Sequence, residues 1–182
     1  MPYRHAGHVV TLWRYVEPYD DPDEAAAVRA LREIHDALES YEGLLPGFGH
    51  PQDTAAMLDA LPPSGDVELL RGVIARRPEV AGQPLHGDAH LFNVLGTPRG
   101  PLWHDFETAC HGPREYDLAA LAENAALDPY GPYDRDLVEA MWPQYTVWVT
   151  ASMMIALPRR PELAGAVERR LRQLREAACS RG

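Results

Sequence analysis

A short β-hairpin signal lies in the middle of a chain whose other segments follow helical periodicity. Residues 94–95 and 102–103 are apolar pairs, and the glycine- and proline-containing segment 96–100 between them is typical of a turn. In residues 28–38, in residues 66–77 and in the helical segments after residue 115, apolar residues recur every three or four positions, as they do on one face of a helix. The sequence therefore predicts an α+β fold that is mainly α and contains one small hairpin.

Prolines and acidic residues predict where helices begin and end. Asp21 is expected as the N-cap of the first helix, with Pro22 at its first helical position. Pro143 is expected to interrupt the helix that begins at Asp134, because proline cannot donate the backbone hydrogen bond that continues a helix. A second, buried helix is then expected between Pro143 and Pro158.

The composition limits the classes of partner and the compartment. The 182 residues carry a net charge of −10, which disfavours nucleic acid and anionic membranes and favours cationic ligands. The two cysteines, Cys110 and Cys179, form neither a disulfide framework nor a zinc motif, which predicts a reducing cytoplasm. The first residues do not have the pattern of a signal peptide, and the longest apolar run, 144–157, is too short to span a bilayer.

Oxygen-bearing side chains crowd both sides of the hairpin. Because a two-stranded hairpin brings its open ends together, Asn93 before the first strand is expected to meet Asp105 after the second. Asp88 lies five residues before Asn93, on the loop that enters the hairpin. Carboxylate and amide oxygens suit Mg²⁺, and a carboxylate that binds no metal can orient or deprotonate a hydroxyl group. This spacing matches a known pattern of phosphoryl-transfer enzymes.

The motifs around the hairpin resemble those of a family of small-molecule kinases. Residues 86–95 read His-Gly-Asp-x-His-x-x-Asn-Val-Leu, residues 105–107 read Asp-Phe-Glu, and residues 112–119 read Gly-Pro-x-x-x-Asp-Leu-Ala. Together they resemble the aminoglycoside phosphotransferase and choline kinase family, and the resemblance extends over nearly the whole chain. It implies a protein-kinase-like fold and transfer of the γ-phosphoryl group of ATP to a hydroxyl group of a small molecule.

The resemblance also implies a role for each polar residue of the loop and hairpin. Asp88 would act as the catalytic base or orient the acceptor hydroxyl. Asn93 and Asp105 would hold a Mg²⁺ ion that bridges the ATP phosphates. His86 and Asp117 would support the catalytic loop through hydrogen bonds without touching the substrate.

Other residues near the loop carry further expectations. Glu107 stands where the family has an acid after its metal-binding aspartate, so it would lie behind the metal or beside the substrate. His35, on the apolar face of the first helix, is expected to be a buried, hydrogen-bonded core residue. Leu91 and Phe92 replace the family's commoner Pro-Gly, and their side chains are expected to pack under the hairpin.

The N-terminal segment is expected to receive the nucleotide. Val9 to Val16 is apolar and β-rich, which predicts a strand or an extended segment. All 17 basic residues are arginines, and neither a lysine-bearing strand nor a glycine-rich phosphate loop precedes this segment. The resemblance therefore implies the C-terminal lobe of the kinase-like fold, with the N-terminal lobe absent. It places the adenine-binding hinge at Thr11, Leu12, Trp13 and Arg14.

One domain is expected over residues 1–182. It would contain a hinge-like segment at 1–18, the catalytic loop and metal-binding hairpin at 84–107, and a helical subdomain at 115–179. Without an N-terminal lobe, an apolar patch is expected around residues 9–16, and a homodimer contact or a partner protein would cover it.

Three functions stay open at this point. The first is an ATP- and Mg²⁺-dependent phosphotransferase for a small, cationic hydroxyl acceptor, which would be inactive as the isolated chain if the N-terminal lobe is required. The second is a non-catalytic remnant that binds a small ligand or a partner protein and keeps the site residues by descent. The third is a zinc hydrolase, because His90, His104 and His111 lie in the same window.

Overall fold

The computed structural model describes residues 3–10, 12–19 and 21–179, and it gives the backbone but not the side chain of Val9. Helices make up most of the regular structure, as the sequence predicts. The elements, in chain order, are β1 (Tyr3–His5), β2 (His8–Val10), α1 (Glu24–Leu38), α2 (Pro51–Ala60), α3 (Gly65–Ile74), β3 (Gln83–Leu85), β4 (Val94–Thr97), β5 (Gly100–Trp103), β6 (Cys110–Gly112), α4 (Arg114–Leu121), α5 (Arg135–Ala156) and α6 (Ala164–Cys179).

The strands form antiparallel pairs rather than one continuous sheet. In the described part of the chain the pairs are β1 with β2, β3 with β6, and β4 with β5. The β4–β5 pair is the expected hairpin, in which Val94 lies opposite Trp103 and Thr97 opposite Gly100. The β3–β6 pair joins the start of the catalytic loop to the segment that follows the hairpin. The strands therefore bring both ends of the polar window to one place.

Helix α1 begins two residues later than the sequence predicts. Its N-cap is Asp23, not Asp21, and the Asp23 carboxylate accepts a hydrogen bond of 2.6 Å from the backbone N–H of Ala26. Either aspartate is a suitable cap residue by type. In the folded chain it is the side chain of Asp23 that reaches the backbone N–H three residues further on, that of Ala26.

Helix α5 continues through Pro143, which contradicts the predicted break. It runs without interruption over 22 residues and packs against α2, α3, α4 and α6. Pro143 is buried, and the adjacent Gln144 donates a hydrogen bond of 3.1 Å to the carbonyl of Val73 in α3. A proline inside a helix costs about 3 kcal/mol. The packing of four helices around α5 offsets this cost, which local sequence rules do not include.

The N-terminal segment is a strand over only part of the predicted range. β2 ends at Val10 and pairs with β1, and residues 12–19 form neither helix nor strand. This extended segment is joined to the hairpin by a hydrogen bond of 2.9 Å from the N–H of Tyr19 to the carbonyl of Gly96. The expected strand therefore becomes a short β-pair followed by an extended stretch that reaches β4.

Among the residues that the structure describes, the buried apolar side chains form three clusters. One lies between α1, the hairpin and α4, where the indole N–H of Trp103 donates to the carbonyl of Ala27 at 3.0 Å. The second joins α2, α3, α5 and α6. The third holds β3 and β6 against α4 and α5. In the part of the chain that the structure describes, no helix has both the length and the apolar character required to cross a bilayer.

Candidate active site

A buried carboxylate at the start of α4 holds the beginning of the catalytic loop. Oδ2 of Asp117 accepts hydrogen bonds from the backbone N–H of His86 and from Nε2 of His35, both at 2.9 Å. Its Oδ1 accepts a third hydrogen bond, of 2.8 Å, from the backbone N–H of Gly87. Three donors on one fully buried carboxylate offset the cost of its burial. The loop is thus attached to α4 through its backbone.

His35, in α1, connects Asp117 to Tyr130 through hydrogen bonds of its two ring nitrogens. Its Nδ1 lies 2.7 Å from the hydroxyl of Tyr130, while its Nε2 faces Asp117. His35 is buried and hydrogen-bonded, as its place on the apolar face of α1 predicts. Nothing in the sequence indicates Tyr130, because it lies 95 residues downstream in a short turn.

His86 connects the catalytic loop to the residue that follows the hairpin. Its Nε2 donates to the carbonyl of His104 at 2.8 Å, and its Nδ1 accepts from the N–H of Asp88 at 3.4 Å. The imidazole packs against the rings of Trp103 and Phe106, at centroid distances of 5.4 and 4.4 Å. His86 therefore holds both sides of the candidate site in a fixed relation.

Gly87 is required by the close approach of two backbone segments. Its φ of 87° lies in the left-handed region, and an added Cβ would stand 1.8 Å from the carbonyl oxygen of Thr108. No other residue fits at this position without moving the backbone. This accounts physically for the glycine between His86 and Asp88.

Asp88 lies at the centre of the site with its carboxylate partly accessible. The hydroxyl of Tyr145 donates to Oδ1 at 3.0 Å, and Nε2 of His90 lies 3.4 Å from Oδ2. The side chain of Asp88 is 21% exposed, so a ligand can reach it. Burial raises the pKa of Asp88, but the hydrogen bonds and charge of His90 and the Tyr145 hydroxyl bring this pKa below its usual value. The carboxylate is therefore ionised at neutral pH.

Asn93 and Asp105 flank the open end of the hairpin. The amide nitrogen of Asn93 donates to the carbonyl of Asp88 at 2.9 Å, which leaves the amide oxygen as the atom for a ligand. The carbonyl of Asn93 accepts a hydrogen bond of 3.0 Å from the N–H of His104, so Asp105 is the next residue along. Asp105 is exposed and has a φ of 67°, a left-handed conformation that is uncommon outside glycine.

The donor set at the hairpin end fits a magnesium ion. An amide oxygen from Asn93 and a carboxylate from Asp105 are hard ligands, and Mg²⁺ completes such a shell with water and phosphate oxygens. A backbone held in the left-handed region points to a functional constraint at Asp105. These two residues could hold the ion, while Asp88 stays bound to protein groups on the same loop.

The other predicted site residues lie at the periphery. Glu107 is exposed in the short turn after Asp105. Leu12, Trp13 and Arg14 are exposed in the extended segment before α1, and Thr11 lies outside the described residues.

Two expectations for neighbouring residues are not supported. Phe92 does not pack under the hairpin, because its side chain is 84% exposed and its ring meets only the edge of His90. Among the described residues, no three histidine, cysteine, aspartate or glutamate side chains converge as metal ligands. The zinc interpretation of His90, His104 and His111 therefore lacks the geometry that it needs.

Tyr145 is a residue of the site that sequence reasoning missed. It lies 57 residues after Asp88, in the middle of an apolar helix, where tyrosine is an ordinary core residue. No short motif contains it. Only the packing of α5 against the catalytic loop brings its hydroxyl to Asp88.

Fold and site together define a class of protein. A helical lobe with an aspartate on the loop before a hairpin, an asparagine five residues later and an aspartate beyond the hairpin is typical of the C-terminal lobe of a protein-kinase-like fold. The sequence pattern of the phosphotransferase enzyme family (APH) matches residues 4–178, and the chain belongs to that family. No match was found among curated protein sequences.

Solved structures support the fold. A choline/ethanolamine kinase family protein from Mesorhizobium loti superimposes with a TM-score of 0.59 at 16% identity, covering 90% of this chain and 67% of its own. The amicoumacin kinase hAmiN superimposes with a TM-score of 0.58 at 11% identity, covering 84% of this chain and 58% of its own. The protein thus spans about three fifths of the length of the amicoumacin kinase.

Proposed function

We propose that the protein transfers the γ-phosphoryl group of ATP to a hydroxyl group of a small molecule. The observation that carries this proposal is the Asp88 carboxylate, which is ionised, partly exposed and hydrogen-bonded on the same loop as Asn93. Membership of the phosphotransferase enzyme family supports the reaction class. The non-catalytic alternative has no comparable support.

In the proposed reaction Asp88 orients the acceptor hydroxyl. Its carboxylate accepts a hydrogen bond from the acceptor's hydroxyl group, so that the hydroxyl oxygen faces the phosphorus for in-line attack. Asn93 and Asp105 hold Mg²⁺, which neutralises charge on the ATP phosphates when it is bound. His86 and Asp117 keep the loop and the hairpin end in register, without contact to the substrate.

ATP and a divalent cation are the proposed cofactors. The amicoumacin kinase hAmiN was solved with AMP-PNP and Ca²⁺, an ATP analogue and a divalent ion. We place the adenine against Thr11, Leu12, Trp13 and Arg14. The segment 12–19 supports this placement, because Tyr19 joins it to the hairpin that carries Asn93. Glu107 would lie beside the metal or the substrate.

The acceptor is proposed to be a small hydroxyl compound, and a net charge of −10 favours a cationic one. Nucleic acid and membranes are not proposed as partners. The exposed apolar side chains of segment 12–19 are proposed to contact a second copy of the chain or a further protein. Free, widely separated Cys110 and Cys179 support a cytoplasmic location.

The test is phosphoryl transfer by the full natural chain. Radiolabelled γ-phosphate of ATP should reach one member of a panel of amino sugars, amino alcohols and sugars, in a Mg²⁺-dependent way. Asp88→Asn should lower the rate by a factor of about 10² or more, because the hydroxyl is no longer oriented by a carboxylate. Asp105→Asn should weaken ATP binding measured by calorimetry in the presence of Mg²⁺.

The control is Asp36→Asn, because Asp36 is an exposed carboxylate on α1 and lies outside the site. It should transfer phosphate and bind ATP as the wild type does. Transfer that survives unchanged in Asp88→Asn would refute the assignment of Asp88. ATP binding that is indifferent to Mg²⁺ would refute the metal site.

A further inference from the structure

The middle of α5 supplies a hydrogen bond to the carboxylate that is proposed to orient the acceptor. The hydroxyl of Tyr145 lies 3.0 Å from Oδ1 of Asp88 and donates to it. The Tyr145 side chain is buried, while the Asp88 carboxylate is partly accessible. Tyr145 therefore contacts Asp88 from the protein interior, and the solvent-accessible side of the Asp88 carboxylate stays free for a ligand.

The position of the Tyr145 hydroxyl is set by the core rather than by the loop. The ring meets Tyr116 edge-on at a centroid distance of 5.9 Å and lies against Trp148 at 6.5 Å. Both neighbours belong to the cluster that holds β3 and β6 against α4 and α5. Aromatic rings in a close-packed core have few alternative rotamers. The core thus fixes the position of the Tyr145 hydroxyl that donates to the Asp88 carboxylate.

The Tyr145 hydroxyl is a permanent donor. Burial raises the pKa of Tyr145 above its usual range, and the nearby charges of Asp88 and Glu123 raise it further. The hydroxyl keeps its proton throughout the physiological pH range. It therefore donates to Asp88 before, during and after any proton movement in the acceptor.

This contact makes the two carboxylate oxygens of Asp88 unequal. Oδ1 is held by Tyr145, while Oδ2 faces His90 at a longer distance of 3.4 Å. The terminal torsion of an aspartate is broad, so an unheld carboxylate samples many orientations. A hydrogen bond to Oδ1 removes that freedom. Oδ2 keeps a lone pair for a further donor beside its longer contact to His90.

Resting on the phosphotransferase function proposed above, we propose that Tyr145 is a positioning residue. It holds Oδ1 of Asp88 so that Oδ2 receives the hydrogen bond of the acceptor hydroxyl. The role requires a hydroxyl at the end of the ring, and the ring itself only packs. Tyr145→Phe removes the donor and keeps the packing, which separates the two contributions.

The neighbouring Tyr116 offers a matched control. It lies in the same cluster and is fully buried, but its hydroxyl has no hydrogen-bond partner among the described residues. Tyr116→Phe therefore removes the same atom from the same core without touching Asp88. Any effect that both variants share belongs to packing.

The first measurement is phosphoryl transfer in the full natural chain with the best acceptor from the panel. Tyr145→Phe should lower kcat about 10- to 100-fold, because the carboxylate is no longer held in the productive orientation. The KM for ATP and the melting temperature should stay as in Tyr116→Phe. An unchanged kcat in Tyr145→Phe, or an equal loss in both variants, would overturn the positioning role.

The second measurement does not depend on activity. In protein labelled with ¹³C at the ζ carbon of tyrosine, the two Tyr→Phe variants assign the resonances of Tyr145 and Tyr116. Asp88→Ala should shift the Tyr145 resonance much more than that of Tyr116, because it removes the hydrogen-bond acceptor of Tyr145 alone. A Tyr145 resonance that does not respond would overturn the contact itself.

The two measurements distinguish the two proposals. If the resonance responds but the full chain transfers phosphate to no acceptor, the phosphotransferase proposal fails, and the positioning role fails with it. If transfer occurs and the resonance is silent, the function stands and the role of Tyr145 is wrong. A responding resonance together with a selective loss of kcat supports both.

Discussion

At the scale of single residues, the site depends on carboxylates that have different surroundings and different uses. Asp117 is fully buried and accepts three hydrogen bonds, two of them from backbone N–H groups of the catalytic loop. Asp88 is partly exposed and has a hydrogen bond from Tyr145 on one oxygen. Asp105 is exposed at the hairpin end. The three carboxylates thus differ in burial and in use. Asp117 supports the loop, and in the proposed reaction Asp88 faces the substrate and Asp105 binds the metal.

We expect acid to destabilise the protein in a way that depends on Asp88. Burial raises its pKa, but His90 and Tyr145 bring it below the usual value of 3.8. The folded state then binds fewer protons than the unfolded state near that pH. The stability from Asp88 is complete above its ordinary pKa and is lost as the pH falls through the lower, folded value.

Urea denaturation at a series of pH values measures this effect. Between about pH 6 and about pH 3, Asp88→Asn should lose less free energy of unfolding than the wild type, because it has no carboxylate to protonate. Asp36→Asn, at an exposed position on α1, should follow the wild type. Parallel curves for Asp88→Asn and the wild type would contradict the depressed pKa.

At the scale of elements, one face of the β4–β5 hairpin is anchored, and the proposed metal ligands Asn93 and Asp105 flank that hairpin. Trp103 is buried in the cluster with α1, and its indole N–H bonds the carbonyl of Ala27. The adjacent Leu102 points to the other face and is partly exposed, as the alternation of a strand requires. The anchored face fixes where the hairpin end, with Asn93 and Asp105, meets the catalytic loop.

The two neighbouring positions of β5 should respond differently to truncation. Trp103→Ala should lower the free energy of unfolding by about 3–5 kcal/mol, because it opens a cavity and removes the hydrogen bond to the carbonyl of Ala27. Leu102→Ala should cost less than about 1 kcal/mol, since Leu102 is partly exposed and its truncation opens no enclosed cavity. Urea denaturation followed by circular dichroism measures both. Equal losses would mean that the hairpin is not anchored through Trp103.

At the scale of the whole molecule, apolar side chains remain exposed in the segment before α1. Leu12 and Tyr15 are 77% and 81% exposed, in a segment that has neither helix nor strand. Large apolar side chains close together on a surface often mark a contact with another protein. The same segment is joined to the hairpin by the hydrogen bond from Tyr19 to Gly96.

We expect the chain of 182 residues to self-associate through this segment. Light scattering over a wide concentration range should show a mass that rises with concentration. Leu12→Ser combined with Tyr15→Ser should reduce that rise, because it removes apolar surface from the contact. Tyr41→Ser combined with Leu44→Ser, at exposed positions in another loop, is the control. A constant monomer mass for the wild type would contradict the prediction.

Local patterns predicted much of the fold. The hairpin and the helix-rich class follow from turn residues and apolar spacing, which depend on neighbours within a few positions. The meeting of Asn93 with the residue before Asp105 also follows, because a hairpin joins its own ends. The motif around Asp88 was sufficient to indicate the family that the whole chain matches.

Tertiary structure alone decided the contacts that bring distant segments together. Tyr145 meets Asp88 across 57 residues and Tyr130 meets His35 across 95, and neither tyrosine differs locally from an ordinary core residue. Pro143 stays inside α5 because four helices pack around it, although its local rule predicts a break. The sequence by itself determined the hairpin, the helix-rich class and the family, since these rest on short-range spacing. The hydrogen bond from Tyr145 to Asp88 came from long-range packing, which no local pattern encodes.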